Sequence, residues 1–138
     1  MRYRISIFLE MATFKKLNND FYAIQRHSKS QILILSVGTV AELLPILQLA
    51  MLDGLERLSN GNLPDSQYTI SQKYIVFVSL SPDSGSVRLD IWEWFTNPDG
   101  ESKPTKWGVN LSVEEVNIFT SLIEEHLRTA LDRCYLCL

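Results

Sequence analysis

Side chains able to carry out catalytic or redox chemistry are few in this 138-residue chain. Cys134 and Cys137 have a Cys-x-x-Cys spacing, which binds metals or exchanges disulfides in some proteins. No second cysteine or histidine pair completes a zinc site, and no strand–helix pattern typical of a redox motif precedes the pair. We therefore predict free thiols, no metal and no cofactor, and we interpret His27 and His126 as structural or solvated residues.

The sequence also lacks the patterns typical of an enzyme. It has no Ser-His-Asp set that can be placed, no glycine-rich loop that would hold phosphates, and no carboxylate pair in an evident cleft. Charged residues on a helix usually mark its solvated face, which is how we interpret Glu114, Glu115, Glu124 and Glu125. We predict that the protein is not an enzyme.

Composition and charge narrow the class of protein further. Apolar residues make up 46% of the chain and charged residues 21%, as in globular proteins generally. The net charge is −3, with +1 in residues 1–69 and −4 in residues 70–138. Strong nonspecific nucleic-acid binders are usually basic, so this balance disfavours that class. Met1–Phe14 alternates like a strand and is interrupted by Glu10, so we expect no export signal, an intracellular protein and no membrane partner.

An internal repeat organises the chain. Leu35–Val40 aligns with Leu111–Val116 at an offset of 76 residues. Apolar residues follow in both copies at spacings of three and four, which predicts two amphipathic helices. Ser112 and Glu115 have the spacing of a capping box, and Thr39 is the predicted cap of the first helix. The matching apolar positions are Leu43 with Phe119, Ile46 with Leu122, Leu47 with Ile123, Met51 with Leu127, and Leu55 with Leu131.

Strand-like sequence precedes each helix. Alternating or β-branched segments separated by turn residues predict the strands Arg2–Glu10, Thr13–Leu17, Phe21–His27, Gln31–Leu35, Lys73–Leu80, Val87–Phe95 and Trp107–Leu111. Residues 59–68 are polar and lack periodicity, which is typical of a linker. We therefore predict a first repeat at 1–58, a second at 69–133, and a tail at 134–138.

The predicted fold class is α+β, with two tandem units of antiparallel strands followed by one helix. A lone unit of this size would leave much of its apolar surface exposed to water. We predict that the two units pack through their helices as an intramolecular pseudo-dimer. The sequence leaves open a further homodimer.

The second repeat contains a specific motif between Asp90 and Leu111. It comprises an Asp-Ile strand, Glu93 followed by two aromatic residues, Pro-Asp-Gly-Glu at 98–101, Lys103-Pro104, and a Gly-Val-Asn-Leu strand leading into a helix. From Phe77 to about Arg128 the chain resembles the positive cofactor four (PC4-like) family of transcriptional coactivators, which bind single-stranded DNA. Gln31–Leu55 also resembles the strand–helix end of Pur-alpha repeats.

This resemblance implies four-stranded sheets that face nucleic acid. Family members bind melted or single-stranded DNA with basic residues and stacking rings, and the matching positions are Phe95, Lys103 and Lys106, with Trp94 adjacent. Strand alternation places Trp92 and Trp94 opposite the apolar face of their strand. The predicted nucleic-acid-binding residues are Lys73, Arg88, Trp92, Trp94, Phe95, Lys103, Lys106 and Trp107, with Lys15, Lys16 and Arg26 as further phosphate contacts.

One departure from the family pattern supports an alternative. The hairpin turn at Ser81–Ser86 contains Asp83 where the family carries an aromatic residue and lysines. The first hypothesis is a single-stranded or melted DNA-binding coactivator, nuclear by resemblance, with single-stranded DNA or RNA as its partner. The alternative is a protein interaction module that kept the fold and lost most nucleic-acid binding.

Overall fold

Two antiparallel sheets and two long helices make up the fold. The structure, a computed structural model, describes residues 11–136 and the side chains of residues 11–128. The elements are β1 (Thr13–Lys16), β2 (Phe21–Arg26), a 3₁₀ turn (His27–Lys29), β3 (Gln31–Ser36), α1 (Val37–Ser59), β4 (Gln67–Ile70), β5 (Tyr74–Leu80), β6 (Val87–Thr96), β7 (Ser102–Ser112) and α2 (Val113–Leu136). β1–β3 form the first sheet and β4–β7 the second, each in sequential order. The predicted α+β class is confirmed, and the predicted strand Arg2–Glu10 lies outside the described residues.

Equivalent serines begin the two helices. The N–H of Glu115 donates to Ser112 Oγ at 3.2 Å, and Ser112 N–H donates to Glu115 Oε1 at 2.9 Å, so the predicted capping box is confirmed. In the first repeat Ser36 is extended and its Oγ accepts from Thr39 N at 3.2 Å. The prediction that Thr39 caps α1 is wrong, because its N–H is the donor that the cap satisfies.

Each helix packs against the sheet of the other repeat. α1 contacts β4, β5 and β6, and a Cβ added to Gly54 would lie 2.8 Å from Val78 Cγ1, so the helix approaches this sheet closely. On α2, the Phe119 ring lies 6.0 Å from the Phe14 ring and the His126 ring 5.5 Å from the Tyr22 ring. This exchange produces one core shared by both repeats.

The helices also pack against each other around an approximate two-fold relation. Gln48 Nε2 donates to Glu124 Oε1 at 3.0 Å, and these two residues are separated by the repeat offset of 76. Leu47 and Ile123, which are also equivalent, are both completely buried. Contacts between equivalent positions are typical of two-fold symmetric interfaces. The predicted pseudo-dimer through the helices is therefore confirmed.

Side chains of the first repeat cover the edge of the second sheet at Asn110 in β7. Asn110 N–H donates to Gln31 Oε1 at 3.1 Å, and its carbonyl accepts from Arg26 Nη2 at 2.9 Å. Arg26 also forms a buried ion pair with Glu115, whose Oε2 accepts from Ala12 N–H at 2.5 Å. Unpaired strand edges are exposed to unwanted pairing, and these contacts satisfy the edge groups of β7 at this point.

Candidate nucleic-acid interface

Alternation along β6 divides its side chains between two faces of the second sheet. Val87, Leu89 and Ile91 are buried in the core, whereas the intervening residues from Arg88 to Trp94 are half-buried. We call the face that points away from the helices the outer face. The predicted placement of Trp92 and Trp94 opposite the apolar face is therefore confirmed.

Trp92 is held against the backbone of the neighbouring strand. It pairs with Gly108 of β7, and a Cβ added at Gly108 would lie 2.0 Å from Trp92 Cδ2. Only a residue without a side chain allows the indole to approach the strand this closely. The ring of Trp92 is consequently fixed in position and half-buried rather than extended into solvent.

Trp94 extends an aromatic row across the outer face. Its ring lies 6.1 Å from that of Phe77 on β5 at an interplanar angle of 45°. Its indole Nε1 is buried and has no hydrogen-bond partner among the described residues. We call Phe77, Trp92 and Trp94 the aromatic row. The row offers the edges and partial faces of its rings, while much of each ring contacts the sheet.

The two most exposed rings of the predicted set lie on the β6–β7 hairpin, Phe95 near its turn and Trp107 in the middle of β7. Phe95 is 48% exposed and Trp107 is 37% exposed. Phe95 pairs with Lys103, and Lys106 Nζ lies 5.0 Å from the centroid of the Trp107 ring. We call Phe95, Lys103, Lys106 and Trp107 the basic–aromatic cluster. A cation beside an exposed ring can contact a phosphate while the ring stacks on a base.

A register shift in β7 shapes this cluster. Trp92 pairs with Gly108 but Trp94 pairs with Pro104, so three residues of β7 lie opposite Glu93 alone. Such bulges redirect side chains and increase the local twist of a strand. The extra residues include Lys106 and Trp107, and Trp107 lines a small pocket with Glu93 and with Leu33 and Ile34 of β3.

Two further predicted cations have intramolecular partners. Lys73 Nζ lies 2.7 Å from Glu93 Oε1, and the hydrogen bond to Glu93 raises the pKa of Lys73. Arg88 Nε donates to Asn110 Oδ1 at 2.7 Å, and the Asn110 amide in turn donates to Asp90. The Glu93 carboxylate offsets the charge of Lys73, and Asn110 occupies guanidinium donors of Arg88 that could otherwise bind a phosphate.

Arg26 differs from the other predicted phosphate contacts because it is buried. Only 7% of the residue is exposed, and its guanidinium is bound to Glu115 and to the Asn110 carbonyl. Arg26 therefore has a structural position, whereas Lys15 and Lys16 on β1 are exposed.

An open groove of about 710 Å³ lies where the two repeats meet. Its lining combines Arg26, Ser28, Lys29 and Gln31 of the first repeat with Ser79–Asp83, Arg88, Asp90 and Asn110 of the second. Lys29, at the end of the 3₁₀ turn, is exposed and was missed by sequence reasoning. Lys29 lies near Arg88 only because the two repeats pack together, so no local sequence pattern indicates that these residues are neighbours.

A comparison with known protein families finds a match, and the matching segment contains most of the candidate residues. Residues 77–122, about one third of the chain, match the family model described as Transcriptional Coactivator p15 (PC4). This segment resembles the PC4 family, and we call it the PC4-like domain. It begins within β5 and ends within α2, and it contains all of the predicted binding residues except Lys73 and the further phosphate contacts Lys15, Lys16 and Arg26. A search of curated proteins gave no significant match.

The match to the PC4-like domain supports a DNA-binding transcriptional coactivator in general terms, in a family that is not enzymatic and is associated with nuclear transcription. Among the described residues, no group of three or more His, Cys, Asp or Glu side chains could hold a metal ion. The predicted binding residues stay predictions.

Proposed function

We propose that this protein binds single-stranded or melted DNA as a nuclear transcriptional coactivator, with the basic–aromatic cluster as its main contact. The observation that carries the proposal is that two exposed rings and two exposed lysines lie on one β6–β7 hairpin within the PC4-like domain. Stacking of a base on an aromatic ring contributes ~1–3 kcal/mol and depends little on sequence. Lys103 and Lys106 supply the phosphate contacts.

The outer face provides a continuation of this contact surface. From the cluster, the aromatic row leads along β6 towards Arg88 and the junction groove, where Lys29 is exposed. A single nucleic-acid strand bound along this route would contact the aromatic rings along its length and cations at each end. Because Lys73 and Arg88 already have protein partners, we expect binding to rest on few phosphate contacts.

The net charge of −3 limits the expected affinity. Each phosphate neutralised on a single strand contributes about 0.7 to the slope of log affinity against log salt concentration. With Lys103, Lys106 and one or two further cations in contact, the slope is expected to be about −2 to −3. Binding should therefore be clear at low salt and weak near physiological salt.

Fluorescence anisotropy tests the proposal. Labelled single-stranded DNA, duplex DNA and single-stranded RNA of equal length are titrated with the protein at several salt concentrations. We expect preference for single strands and, in the Lys103→Ala/Lys106→Ala variant, a slope reduced by about 1.4. The matched control is Arg57→Ala/Arg128→Ala, which removes the same charge from the helices. Equal losses in both variants would show that net charge, and not the cluster, governs binding.

The rings are tested separately from the charges. We expect Phe95→Ala and Trp107→Ala each to weaken binding by about 5- to 150-fold, the equivalent of ~1–3 kcal/mol, without changing the salt slope. Phe21→Ala is the control, because Phe21 on the first sheet is exposed to a similar extent, 44%, and lies outside the cluster. Unchanged affinity in both cluster variants would contradict the stacking role.

The second candidate function is a protein interaction module. It is favoured by the acidic second half, by the intramolecular partners of Lys73 and Arg88, and by the turn at Ser81–Ser86, which contains Asp83 and no lysine. Absence of binding to all three nucleic acids at low salt would favour this candidate. Substitution of Trp92 and Trp94 should then abolish a protein complex.

A further inference from the structure

α1 is apolar on its solvent-facing side as well as in the core. Its buried residues are Val40, Leu43, Leu47, Ala50 and Gly54. On the opposite side, an exposed row repeats at spacings of three and four residues and comprises Gly38, Ala41, Pro45, Leu49 and Leu52. We call these five residues the outward stripe. Leu49 is 53% exposed and Leu52 is 61% exposed, so the stripe presents two neighbouring leucine side chains to solvent.

The second repeat provides an internal reference for this face. The residues of α2 that lie 76 positions further along are Glu114, Asn117, Ser121, Glu125 and Arg128, and all five are exposed and polar. The two helices therefore share the buried pairs Val40/Val116, Leu43/Phe119 and Leu47/Ile123 but differ in every outward position. α2 has the outward residues of a helix that contacts water, whereas α1 has those of a helix that is covered.

We propose that the outward stripe is a homodimer interface in which α1 of one chain packs antiparallel against α1 of a second copy, with Pro45 at the two-fold axis. In this register Gly38 lies opposite Leu52 of the partner, and Ala41 lies opposite Leu49. Each large side chain thus meets a small one from the other copy. Self-complementarity of this kind is what a two-fold interface requires.

The charges around the stripe also suit a second copy. Between Gly38 and Leu52 the helix contains one charged residue, Glu42, whose Oε2 accepts a hydrogen bond from Ser71 Oγ at 2.5 Å. Glu42 lies beside the stripe rather than on it, so the proposed register brings no carboxylate directly against another. The stripe carries no charge that would select a basic or an acidic partner.

The size of the stripe sets the expected strength of the dimer. It spans 14 residue steps, or about 21 Å of helix, which corresponds to an interface at or below the low end of the stable range, ~1,200 Å². We therefore expect a reversible dimer that forms in the micromolar range. The stripe lies on the helix layer, whereas the proposed DNA-binding surface lies on the opposite side of the sheet. The dimer and the binding of DNA can therefore be tested independently.

Sedimentation velocity over about 1–200 µM tests the dimer. The wild-type chain should shift from monomer to dimer with concentration. The Leu49→Glu/Leu52→Arg variant, which introduces the residues found at the equivalent positions of α2, should remain monomeric with an unchanged unfolding midpoint. Ile118→Glu is the control, because it removes an exposed apolar residue from α2 and should leave the dimer intact. A monomer throughout the range, or a variant that dimerises as the wild type does, would overturn the proposal.

Cysteine crosslinking tests the register independently. In a background with Cys134→Ser and Cys137→Ser, Pro45→Cys should form an intermolecular disulfide under mild oxidation, because the two copies meet at this residue. Ser121→Cys, the equivalent position on α2, should not. Equal crosslinking at both positions, or crosslinking at position 121 alone, would contradict the proposed arrangement.

Discussion

Glu115 of α2 contacts β2, β7 and the residue before β1, and its replacement tests how the repeats are held together. Its carboxylate accepts from Ala12 N–H and Ser112 N–H and pairs with Arg26, and its side chain is 5% exposed. Burial raises the pKa of Glu115, but these donors and the guanidinium outweigh burial and hold the pKa below the ordinary value of 4.5. The carboxylate is therefore charged at neutral pH, and its partners depend on that charge.

Glu115→Gln keeps the shape of the side chain and removes the charge. One of the two oxygens becomes an NH₂ group, so a donor must face either Ala12 N–H or Arg26. A buried donor without a partner costs ~1–3 kcal/mol, and an ion pair broken on one side costs ~3–5 kcal/mol. We expect a loss of about 3–5 kcal/mol in the free energy of unfolding, a large part of the ~5–15 kcal/mol typical of a protein domain.

Urea denaturation followed by tryptophan fluorescence measures this loss at pH 7 and in acid. Because the folded pKa of Glu115 is depressed, its contribution is fully present above about pH 4.5 and is lost as the pH falls through the folded pKa. The difference between wild type and Glu115→Gln should therefore shrink in acid. Arg26→Met/Glu115→Gln should regain much of the lost stability at pH 7. A single variant within 1 kcal/mol of wild type at pH 7, or a difference independent of pH, would refute the reasoning.

Three further outcomes are expected. Gly108→Ala places a methyl group within the ring of Trp92, so the indole must move, and we expect a loss of ~1–3 kcal/mol together with a shift in tryptophan emission. Ser36→Ala removes the cap of α1 and should cost about 1 kcal/mol in thermal unfolding, whereas Thr39→Ala retains the backbone N–H and should cost less. The third outcome concerns a chain divided in the linker. Circular dichroism should show that neither half folds cooperatively alone and that mixing the halves restores structure, because each helix packs on the sheet of the other half. Independent folding of either half would contradict the shared core.

Most of the secondary structure could be predicted from local sequence. The strands from Phe21, Gln31 and Val87 were found within one residue of each predicted end, because alternation and turn residues mark a half-buried strand directly. The start of α2 was indicated by Ser112 and Glu115, because a capping box is a local pattern of residue types at a fixed spacing. β4, at Gln67–Ile70, was not predicted, since four residues beside a polar linker carry too little periodicity and the strand is defined by its pairing with β5.

The candidate site was only partly accessible from sequence. The residue types at Phe95, Lys103 and Lys106 and their order along the hairpin follow from the motif. The exposed fraction of each ring and the partners of each cation do not. Lys73 and Arg88 are cations like Lys103, yet Glu93 and Asn110 hold them at 2.7 Å, whereas the exposed Lys103 lies 3.9 Å from the exposed Glu101.

The sequence by itself determined the repeat, the helix faces and the segment that carries the PC4-like motif, because these depend on residue types at fixed spacings along one chain. Tertiary structure decided which helix covers which sheet, that Arg26 is buried with Glu115, and that the outward stripe of α1 remains exposed. Those outcomes depend on contacts between residues far apart in sequence. Gln48 and Glu124 meet only because the two repeats pack around an approximate two-fold relation.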